Sequence, residues 1–378
     1  MLPTVGDGSV SLADVMRDCL SAVRGESGRL GLPRVDRALV VLIDGLGAEN
    51  LKARAGHART LASAMRTKAD ILDTGVPTTT AAALASLTTG SRPGQHGVVA
   101  YSGFEPASGA VVNQLHGFDD GALPSDWLRR PTLFSQAVED GFSAFAFGAA
   151  RYRDSGFTRE VLAGAQYVPG VTIEDRVDAA ADVLADRSWR GIGYCYLAEL
   201  DMAGHDAGWQ SGDWVAALER VDAALGGLVA SLDPSTGVIV TADHGMIDVP
   251  EHSRLAIPDD SGLWGGVAAL AGEHRLLHLH VEPDMDPNVV AARWVDAEGG
   301  RSWVATRDEA IEAGWFGMVD PGVRERIGDV IVAARKDVAY YTETALAGSA
   351  GRMVGQHGSW TPAERRVPLL RFGAFSRP

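Results

Sequence analysis

The chain has 378 residues, of which 46% are hydrophobic and 22% charged, a globular composition that excludes disordered, collagen-like and coiled-coil chains. Its formal net charge of −15 argues against nucleic-acid polymers and anionic membranes as partners, because an acidic surface repels both. With two cysteines, and neither a signal peptide nor a membrane-spanning apolar run visible, we expect a cytoplasmic protein without a disulfide framework.

Short apolar runs alternate with helical patterns along much of the chain. The runs predict buried parallel strands at residues 38–43, 143–147, 192–197, 237–241 and 329–333. The helical patterns cover residues 79–88, 132–140, 174–186 and 214–232, the last with Asp213 as its expected N-cap. This alternation predicts an α/β fold with a mostly parallel central sheet and helices on both faces.

The stretch 258–347 has a different pattern. Residues 275–281 alternate like a half-exposed strand, and residues 287–298 are typical of a helix. We therefore expect a main α/β domain formed by residues 1–257 and 348–378, interrupted by a small inserted α+β lobe over residues 258–347.

Acidic residues and histidines follow three of the predicted strands. Asp44 comes after the first, Asp201 and His205 after the strand at 192–197, and Asp243 and His244 after the strand at 237–241. Ligands of open α/β sheets bind at the carboxyl ends of the strands, so these side chains are expected at one edge of the sheet.

Carboxylates and imidazoles together suit divalent transition metals, above all zinc. Asp201 and His205 are one helical turn apart, so a single ion could contact both. Asp243 and His244 are adjacent and point in different directions. They could serve two neighbouring ions, or one ion and a residue that supports its ligands.

A threonine cluster precedes a helix of small residues that ends at Gly90. A hydroxyl among Thr78, Thr79 and Thr80 would lie beside the free N–H groups of the helix start, which favour phosphate oxygens. A threonine becomes a useful nucleophile when a base or a metal lowers its pKa. The predicted Asp/His site could supply that metal.

The remaining histidines fit structural roles better. His278 and His280 share one strand face without surrounding carboxylates, which favours a polar strand face over a metal site. We expect the remaining histidines to be either solvated (His57, His252 and His274) or loop residues near the site (His96 and His116).

Six motifs occur in a characteristic order: Asp44-Gly45, Pro77-Thr-Thr-Thr80 followed by Thr89-Gly90, Gln95-His96-Gly97-Val98, Glu199-Leu-Asp201-Met-Ala-Gly-His205, Thr241-Ala-Asp243-His244-Gly245 and Gly355-Gln-His357-Gly358. This combination resembles the type I phosphodiesterase/nucleotide pyrophosphatase family of the alkaline phosphatase superfamily. The resemblance spans most of the chain, although each motif is short.

The resemblance implies two divalent metal ions, usually zinc, although manganese or another ion is compatible, and a phospho-threonine intermediate. One ion would be held by Asp201, His205 and His357. The other would be held by Asp44, Asp243 and His244 together with the nucleophile Thr80, whose spacing to Thr89-Gly90 fits the family pattern. Only the resemblance selects His357.

The chain departs from the family at one substrate contact. Nucleotide-cleaving members place an asparagine where Ala100 and Tyr101 stand here, which leaves Tyr101 as the candidate hydroxyl donor to a phosphate oxygen. The expected function is hydrolysis of a small phosphate ester as a phosphodiesterase or nucleotide pyrophosphatase. A phosphomonoesterase, a phosphonate hydrolase and a non-catalytic metal-binding relative remain the alternatives, and the sequence does not indicate the oligomeric state.

Overall fold

The computed structural model describes residues 1–6 and 8–376. The strands are β1 (Arg37–Ile43), β2 (Ile71–Asp73), β3 (Ser102–Glu105), β4 (Ala110–Asn113), β5 (Ser143–Ala149), β6 (Gln166–Gly170), β7 (Gly191–Leu197), β8 (Thr236–Thr241), β9 (Ile247–Asp248), β10 (Arg254–Ile257), β11 (Val267–Glu273), β12 (Leu276–Val281), β13 (Ser302–Thr306), β14 (Val330–Ala334), β15 (Ala339–Thr342), β16 (Gly355–Gln356), β17 (Arg366–Pro368) and β18 (Leu370–Gly373). The α-helices are α1 (Leu12–Arg24), α2 (Ala48–Ala53), α3 (Arg59–Ala64), α4 (Thr80–Thr89), α5 (Pro93–His96), α6 (Leu133–Glu139), α7 (Gly156–Val161), α8 (Ile173–Ala185), α9 (Glu199–Ala207), α10 (Gly212–Ser231), α11 (Pro287–Glu298), α12 (Arg307–Glu312), α13 (Pro321–Arg324), α14 (Glu343–Ala347) and α15 (Pro362–Arg365).

The central sheet has the order β18-β8-β1-β7-β5-β6, and all its pairings are parallel except that of β18 with β8. Every residue of β1 is buried, as expected for a strand covered on both faces. Helices α1, α4 and α6 form one packed group, and α8, α9 and α10 form another. The predicted α/β fold with a mostly parallel central sheet is confirmed.

The register of the central strands brings three of their carboxyl ends together. Ile43 at the end of β1 pairs with Leu197 at the end of β7, and Leu42 pairs with Thr241 at the end of β8. The loops after these strands therefore begin side by side.

Helix α10 begins earlier than its apolar pattern indicated. Ser211 is the N-cap, because its Oγ accepts a hydrogen bond from the N–H of Trp214 at 3.2 Å. Asp213 lies inside the first turn, so its prediction as the N-cap is wrong. Serine and aspartate can both cap a helix, and the apolar periodicity alone does not show at which of the two the helix begins.

A second sheet of order β13-β14-β12-β11-β3-β4 is antiparallel throughout. The predicted parallel strand at 329–333 is therefore wrong in its pairing, because β14 lies antiparallel between β12 and β13. Strand β12 is buried rather than half-exposed, because separate apolar clusters cover the two faces of the sheet.

The second sheet also contains a hairpin, β3 and β4, that lies outside the predicted lobe. Ser102 of β3 pairs with Gly272 of β11, so β3 and β4 extend the sheet that the stretch 258–347 builds. The proposed lobe boundaries remain a prediction. Among the described residues, no helix combines the length and the apolar character that crossing a bilayer requires.

Candidate metal centre and nucleophile

Two aspartates and a histidine meet where β1 and β8 end. His244 Nε2 lies 3.3 Å from Asp44 Oδ1 and 3.4 Å from Asp243 Oδ2, and all three side chains are buried. Asp243 Oδ1 accepts hydrogen bonds from the N–H groups of Gly45, at 3.2 Å, and His244, at 3.0 Å. The Tyr196 hydroxyl donates to Asp44 Oδ2. One oxygen of each carboxylate is thus anchored, while the other faces the histidine.

A second cluster forms where α9 approaches the loop after β16. His205 Nε2 lies 3.3 Å from Asp201 Oδ1 and 3.2 Å from His357 Nε2, and His357 Nε2 lies 3.8 Å from Asp201 Oδ1. Strand β16 pairs with β9, which follows Asp243 and His244 in the chain, so His357 is brought back to the same edge of the sheet.

Hydrogen bonds orient the rings of all three histidines. The Nδ1 atoms of His205, His244 and His357 lie 2.8, 3.1 and 2.7 Å from the carbonyl oxygens of Gly355, Gly245 and Thr78, respectively. Each Nδ1 therefore carries the proton, and each Nε2 keeps a free lone pair. This is the tautomer that ligates a metal through Nε2.

The two clusters are in contact. The rings of His244 and His357 are stacked with their centroids 3.6 Å apart. Ligand atoms of Asp201, His244 and His357 lie within 4.8 Å of one another, as do those of Asp44, Asp243 and His244. His244 therefore lies between two groups of possible metal ligands.

Each of the three aspartates in these clusters has one buried carboxylate oxygen without a hydrogen-bond partner among the described residues: Asp44 Oδ1, Asp201 Oδ1 and Asp243 Oδ2. Burial, followed by the neighbouring carboxylates, raises the pKa of Asp44 well above its usual value, and burial also raises the pKa of Asp201. Burial and the adjacent histidines lower the pKa of His357. Bound divalent cations would compensate these carboxylates, so the donor set fits metal ions.

Thr80 lies beside this arrangement as the first residue of α4. Its Oγ1 is 3.3 Å from His244 Nε2, and the residue is half-buried. The hydroxyl of Thr78 is engaged elsewhere, because it donates to the carbonyl of Ser359 at 3.0 Å and accepts from the N–H of Gly358 at 2.9 Å. Thr79 is completely buried. Thr80 is thus the hydroxyl of the cluster that faces the histidines.

Two cavities meet at Thr80. One, of about 500 Å³, is largely aromatic and apolar, and its lining includes Leu84, Phe147, Tyr152, Phe157, Tyr194 and Tyr196. The other, of about 540 Å³, is more polar, and its lining includes Tyr101, Asp201, His205, Glu273, His274 and His357. Tyr101, the predicted substrate contact, is 37% exposed and lines this second cavity.

Glu273 is a site residue that the motifs did not reveal. Its Oε2 lies 3.7 Å from His357 Nδ1, and its side chain is 9% exposed. It stands at the end of β11, in the stretch predicted as an inserted lobe, and no neighbouring motif marks it. Only the folded structure shows that the hairpin of β11 and β12 brings Glu273 to the site.

Two of the other histidines, His274 and His96, differ from their predictions. His274 is half-buried and stacks on Tyr341 with ring centroids 4.1 Å apart, so its prediction as a solvated residue is wrong, whereas His57 and His252 are exposed. His116 lines the aromatic cavity. His96 is the last residue of α5, so its prediction as a loop residue is wrong, and it is buried with its Nε2 2.9 Å from Ser86 Oγ.

His278 and His280 belong to the packed interior of the second sheet, where their rings contact Phe104 and Phe316, so the predicted polar strand face is wrong. His280 stacks on Phe104 with ring centroids 4.1 Å apart, and both histidines are buried. Burial lowers the pKa of His278 to about 3 and that of His280 to about 4. Within residues 1–6 and 8–376, neither belongs to a group of possible metal ligands.

The profile of the type I phosphodiesterase/nucleotide pyrophosphatase family matches residues 38–360. No protein of curated function matches the sequence. Among solved structures, murine ectonucleotide pyrophosphatase/phosphodiesterase 5 superposes with a TM-score of 0.67 at 19% identity, covering 89% of this chain and 88% of that chain. An inactive threonine-to-alanine variant of the murine protein, in complex with AMP, gives a TM-score of 0.67 at 18% identity, with the same coverage of 89% and 88%.

Phosphonoacetate hydrolase from Sinorhizobium meliloti, in complex with phosphonoacetate, superposes with a TM-score of 0.69 at 18% identity, covering 90% of this chain and 91% of that chain. At these identities the structural neighbours establish a shared fold. The site of this chain must be interpreted from its own residues.

Proposed function

Since the chain belongs to the type I phosphodiesterase/nucleotide pyrophosphatase family of hydrolases, we propose that it cleaves small phosphodiesters by attack of Thr80 at a site for two divalent metal ions. The observation that carries this proposal is the position of Thr80 Oγ1, 3.3 Å from His244 Nε2 and next to buried carboxylate oxygens without hydrogen-bond partners in the described chain.

The six Asp and His residues divide into two ligand sets in this proposal. Asp44, Asp243 and His244 hold one ion together with Thr80. Asp201, His205 and His357 hold the other. Mixed carboxylate and imidazole donors favour zinc. When bound, the ions supply positive charge that lowers the pKa of the threonine hydroxyl and of a water molecule.

In this proposal, hydrolysis consists of two successive displacements at phosphorus. Thr80 Oγ forms a bond to phosphorus while the bond to the first alcohol breaks, leaving a phospho-threonine. Free N–H groups in the first turn of α4 can donate to its phosphate oxygens, and the Tyr101 hydroxyl is proposed as a further donor. Water then attacks phosphorus, releases the monoester and restores the Thr80 hydroxyl.

The two cavities favour a diester over a monoester. A diester carries two substituents, and a separate cavity opens on each side of Thr80. A phosphonate hydrolase is the second candidate, because phosphonoacetate hydrolase shares the fold.

A substrate panel with controlled metal content tests the proposal. We expect the protein to hydrolyse bis(4-nitrophenyl) phosphate faster than 4-nitrophenyl phosphate or phosphonoacetate. A chelator should abolish this activity, and added zinc should restore it. Preference for phosphonoacetate would select the second candidate, whereas turnover that survives complete metal removal would contradict the metal-dependent mechanism.

A further inference from the structure

The aromatic cavity beside Thr80 differs in charge from the rest of this protein. The chain has 49 aspartates and glutamates against 34 lysines and arginines, yet no aspartate or glutamate lines this cavity within the described residues. One arginine, Arg151, does line it. The rest of the wall consists of apolar, aromatic and hydroxyl-bearing side chains together with His116 and Gly148. A substituent that enters the cavity therefore meets a cation and no carboxylate in the described part of the wall.

Arg151 lies at the edge of the central sheet where the site is built. It belongs to a short 3₁₀ helix, Ala150–Tyr152, that directly follows β5, and β5 is the parallel neighbour of β7. Its Nη2 lies 3.1 Å from Sδ of Met202, the residue after Asp201 on α9. The guanidinium thus contacts the helix that contributes a proposed metal ligand, while its side chain lines the cavity next to Thr80.

The guanidinium of Arg151 has no acidic partner among the described residues. Its Nη2 donates to the Tyr152 hydroxyl at 3.0 Å, and its Cζ lies over the Tyr152 ring, 4.8 Å from the centroid. A hydroxyl and a thioether are uncharged acceptors, so the positive charge is not compensated. Arg153, two residues further on, differs because its Nη2 pairs with Asp154 Oδ2 at 3.1 Å. Most of the five N–H donors of Arg151 are therefore available to a bound molecule.

We propose that Arg151 makes the aromatic cavity a subsite for a substituent that carries an anionic oxygen group, a carboxylate or a phosphate, on an aromatic or apolar body. The inference rests on the proposed phosphodiesterase function, and it holds whichever of the two substituents leaves phosphorus. The aromatic side chains of the wall contact the body of the substituent. The guanidinium donates charge-assisted hydrogen bonds to its anionic oxygens, for which the planar fork of an arginine is well suited.

Methyl benzyl phosphodiesters test this subsite, with a carboxylate, a sulfonate or an aminomethyl group at the 4-position of the ring. The sulfonate reproduces the tetrahedral oxygens of a phosphate without adding a second phosphorus centre. Chromatography measures consumption of each diester, so that cleavage on either side of phosphorus is counted. We expect the wild-type protein to have a higher kcat/KM for the carboxylate or the sulfonate ester than for the aminomethyl ester. Arg151→Met should lower this ratio about fivefold, because it removes the cation and keeps an apolar stem.

Arg153→Met is the matched control, because Arg153 is exposed and lies outside both cavities. It removes the same charge from the same segment, so it should keep the wild-type ratio if Arg151 acts by direct contact. Comparing ratios between variants cancels the intrinsic reactivities of the esters and the fraction of active protein. A ratio that Arg151→Met leaves unchanged, or that both variants lower equally, would overturn the proposal. A wild-type preference for the aminomethyl ester would do the same.

Failure of the phosphodiesterase function would give a different result. Inactivity of the wild-type protein on these esters and on bis(4-nitrophenyl) phosphate would refute phosphodiester hydrolysis itself. Calorimetry with the intact esters would then compare the affinities of the wild-type protein, Arg151→Met and Arg153→Met. A loss of affinity of about fivefold for the carboxylate or sulfonate ester, confined to Arg151→Met, would support the subsite. Equal affinities, or no detectable binding, would overturn it.

Discussion

Three consecutive threonine hydroxyls have three different environments in this protein. Thr78 ties the start of α4 to the loop after His357, through hydrogen bonds with Gly358 and Ser359. Thr79 is the buried N-cap residue, and Thr80 faces His244. The three side chains are chemically identical, so only the position of Thr80 at the start of α4 distinguishes the candidate nucleophile from its neighbours.

Thr80→Ala should abolish hydrolysis while leaving the metal content unchanged, because the six proposed Asp and His ligands remain. The rate should fall by at least about 10³-fold, since a nucleophile is lost rather than a binding contact. Steady-state kinetics with bis(4-nitrophenyl) phosphate and elemental analysis would measure the two effects. Thr80→Ser, which keeps a hydroxyl, should retain partial activity, and wild-type turnover by Thr80→Ala would rule out this assignment.

Asp201→Asn should lower the bound metal from two ions per chain towards one, because an amide is a weaker ligand than a carboxylate for zinc. The control is Asp206→Asn on the same helix, where the side chain is exposed. Titration with zinc by calorimetry distinguishes the variants. Equal stoichiometry in both would show that Asp201 is not a ligand.

Residues directly after buried strands were the predictable part of this site. Asp44, Asp201, Asp243 and His244 could be placed at one edge because strand ends in a parallel sheet converge. His357 follows a two-residue strand late in the chain, and only the family resemblance selected it. Glu273 had no sequence signal, because its position in the site depends on a hairpin folding back over the loop at Gly358.

At the scale of elements, one buried ion pair connects several parts of the site. Both carboxylate oxygens of Glu364 accept hydrogen bonds from Arg275, and both side chains are inaccessible to solvent. Oε1 also accepts from the N–H of Ser359 at 3.0 Å, two residues after His357. The carbonyl of Glu364 accepts from Gly245, next to His244, at 2.7 Å. Glu364 thus connects Arg275, just before β12, to the loop that carries His357 and to the loop that carries His244.

Glu364→Gln should lower the free energy of unfolding by about 3–5 kcal/mol, because it leaves the Arg275 guanidinium buried without its counter-charge. Glu174→Gln is the control, since it removes a pair with Arg220 in which both side chains are about half exposed, and should cost about 0–1 kcal/mol. Urea denaturation would measure both. Equal losses would mean that the buried pair contributes no more than a surface pair.

Element type was easier to predict than element pairing. The apolar run at residues 329–333 predicts the strand β14, but such a run does not indicate whether the neighbouring strands are parallel or antiparallel to it. The burial of β12 likewise depends on clusters that cover both faces of its sheet, including residues from α11, α12 and the N-terminal segment. Such contacts join distant parts of the chain, and no local pattern encodes them.

At the scale of the whole molecule, the two sheets contribute different parts of one site. The central sheet provides the aspartates and histidines at the ends of β1, β7 and β8, whereas the second sheet provides a cavity wall through Glu273 and His274. The net charge of −15 repels a phosphate ester, but two divalent ions against three aspartates would leave the centre with a small positive charge.

We expect the folding stability of this protein to depend on bound metal. The buried carboxylates of Asp44, Asp201 and Asp243 are uncompensated without cations, so ions that bind only the folded chain should stabilise it. At a free zinc concentration a hundredfold above Kd, each site should add about 2.7 kcal/mol. Thermal unfolding across a zinc titration would measure this gain. Thr80→Ala should show nearly the full increase in Tm and Asp201→Asn a smaller one. A Tm that is the same with chelator and with excess zinc would show that the two clusters hold no metal.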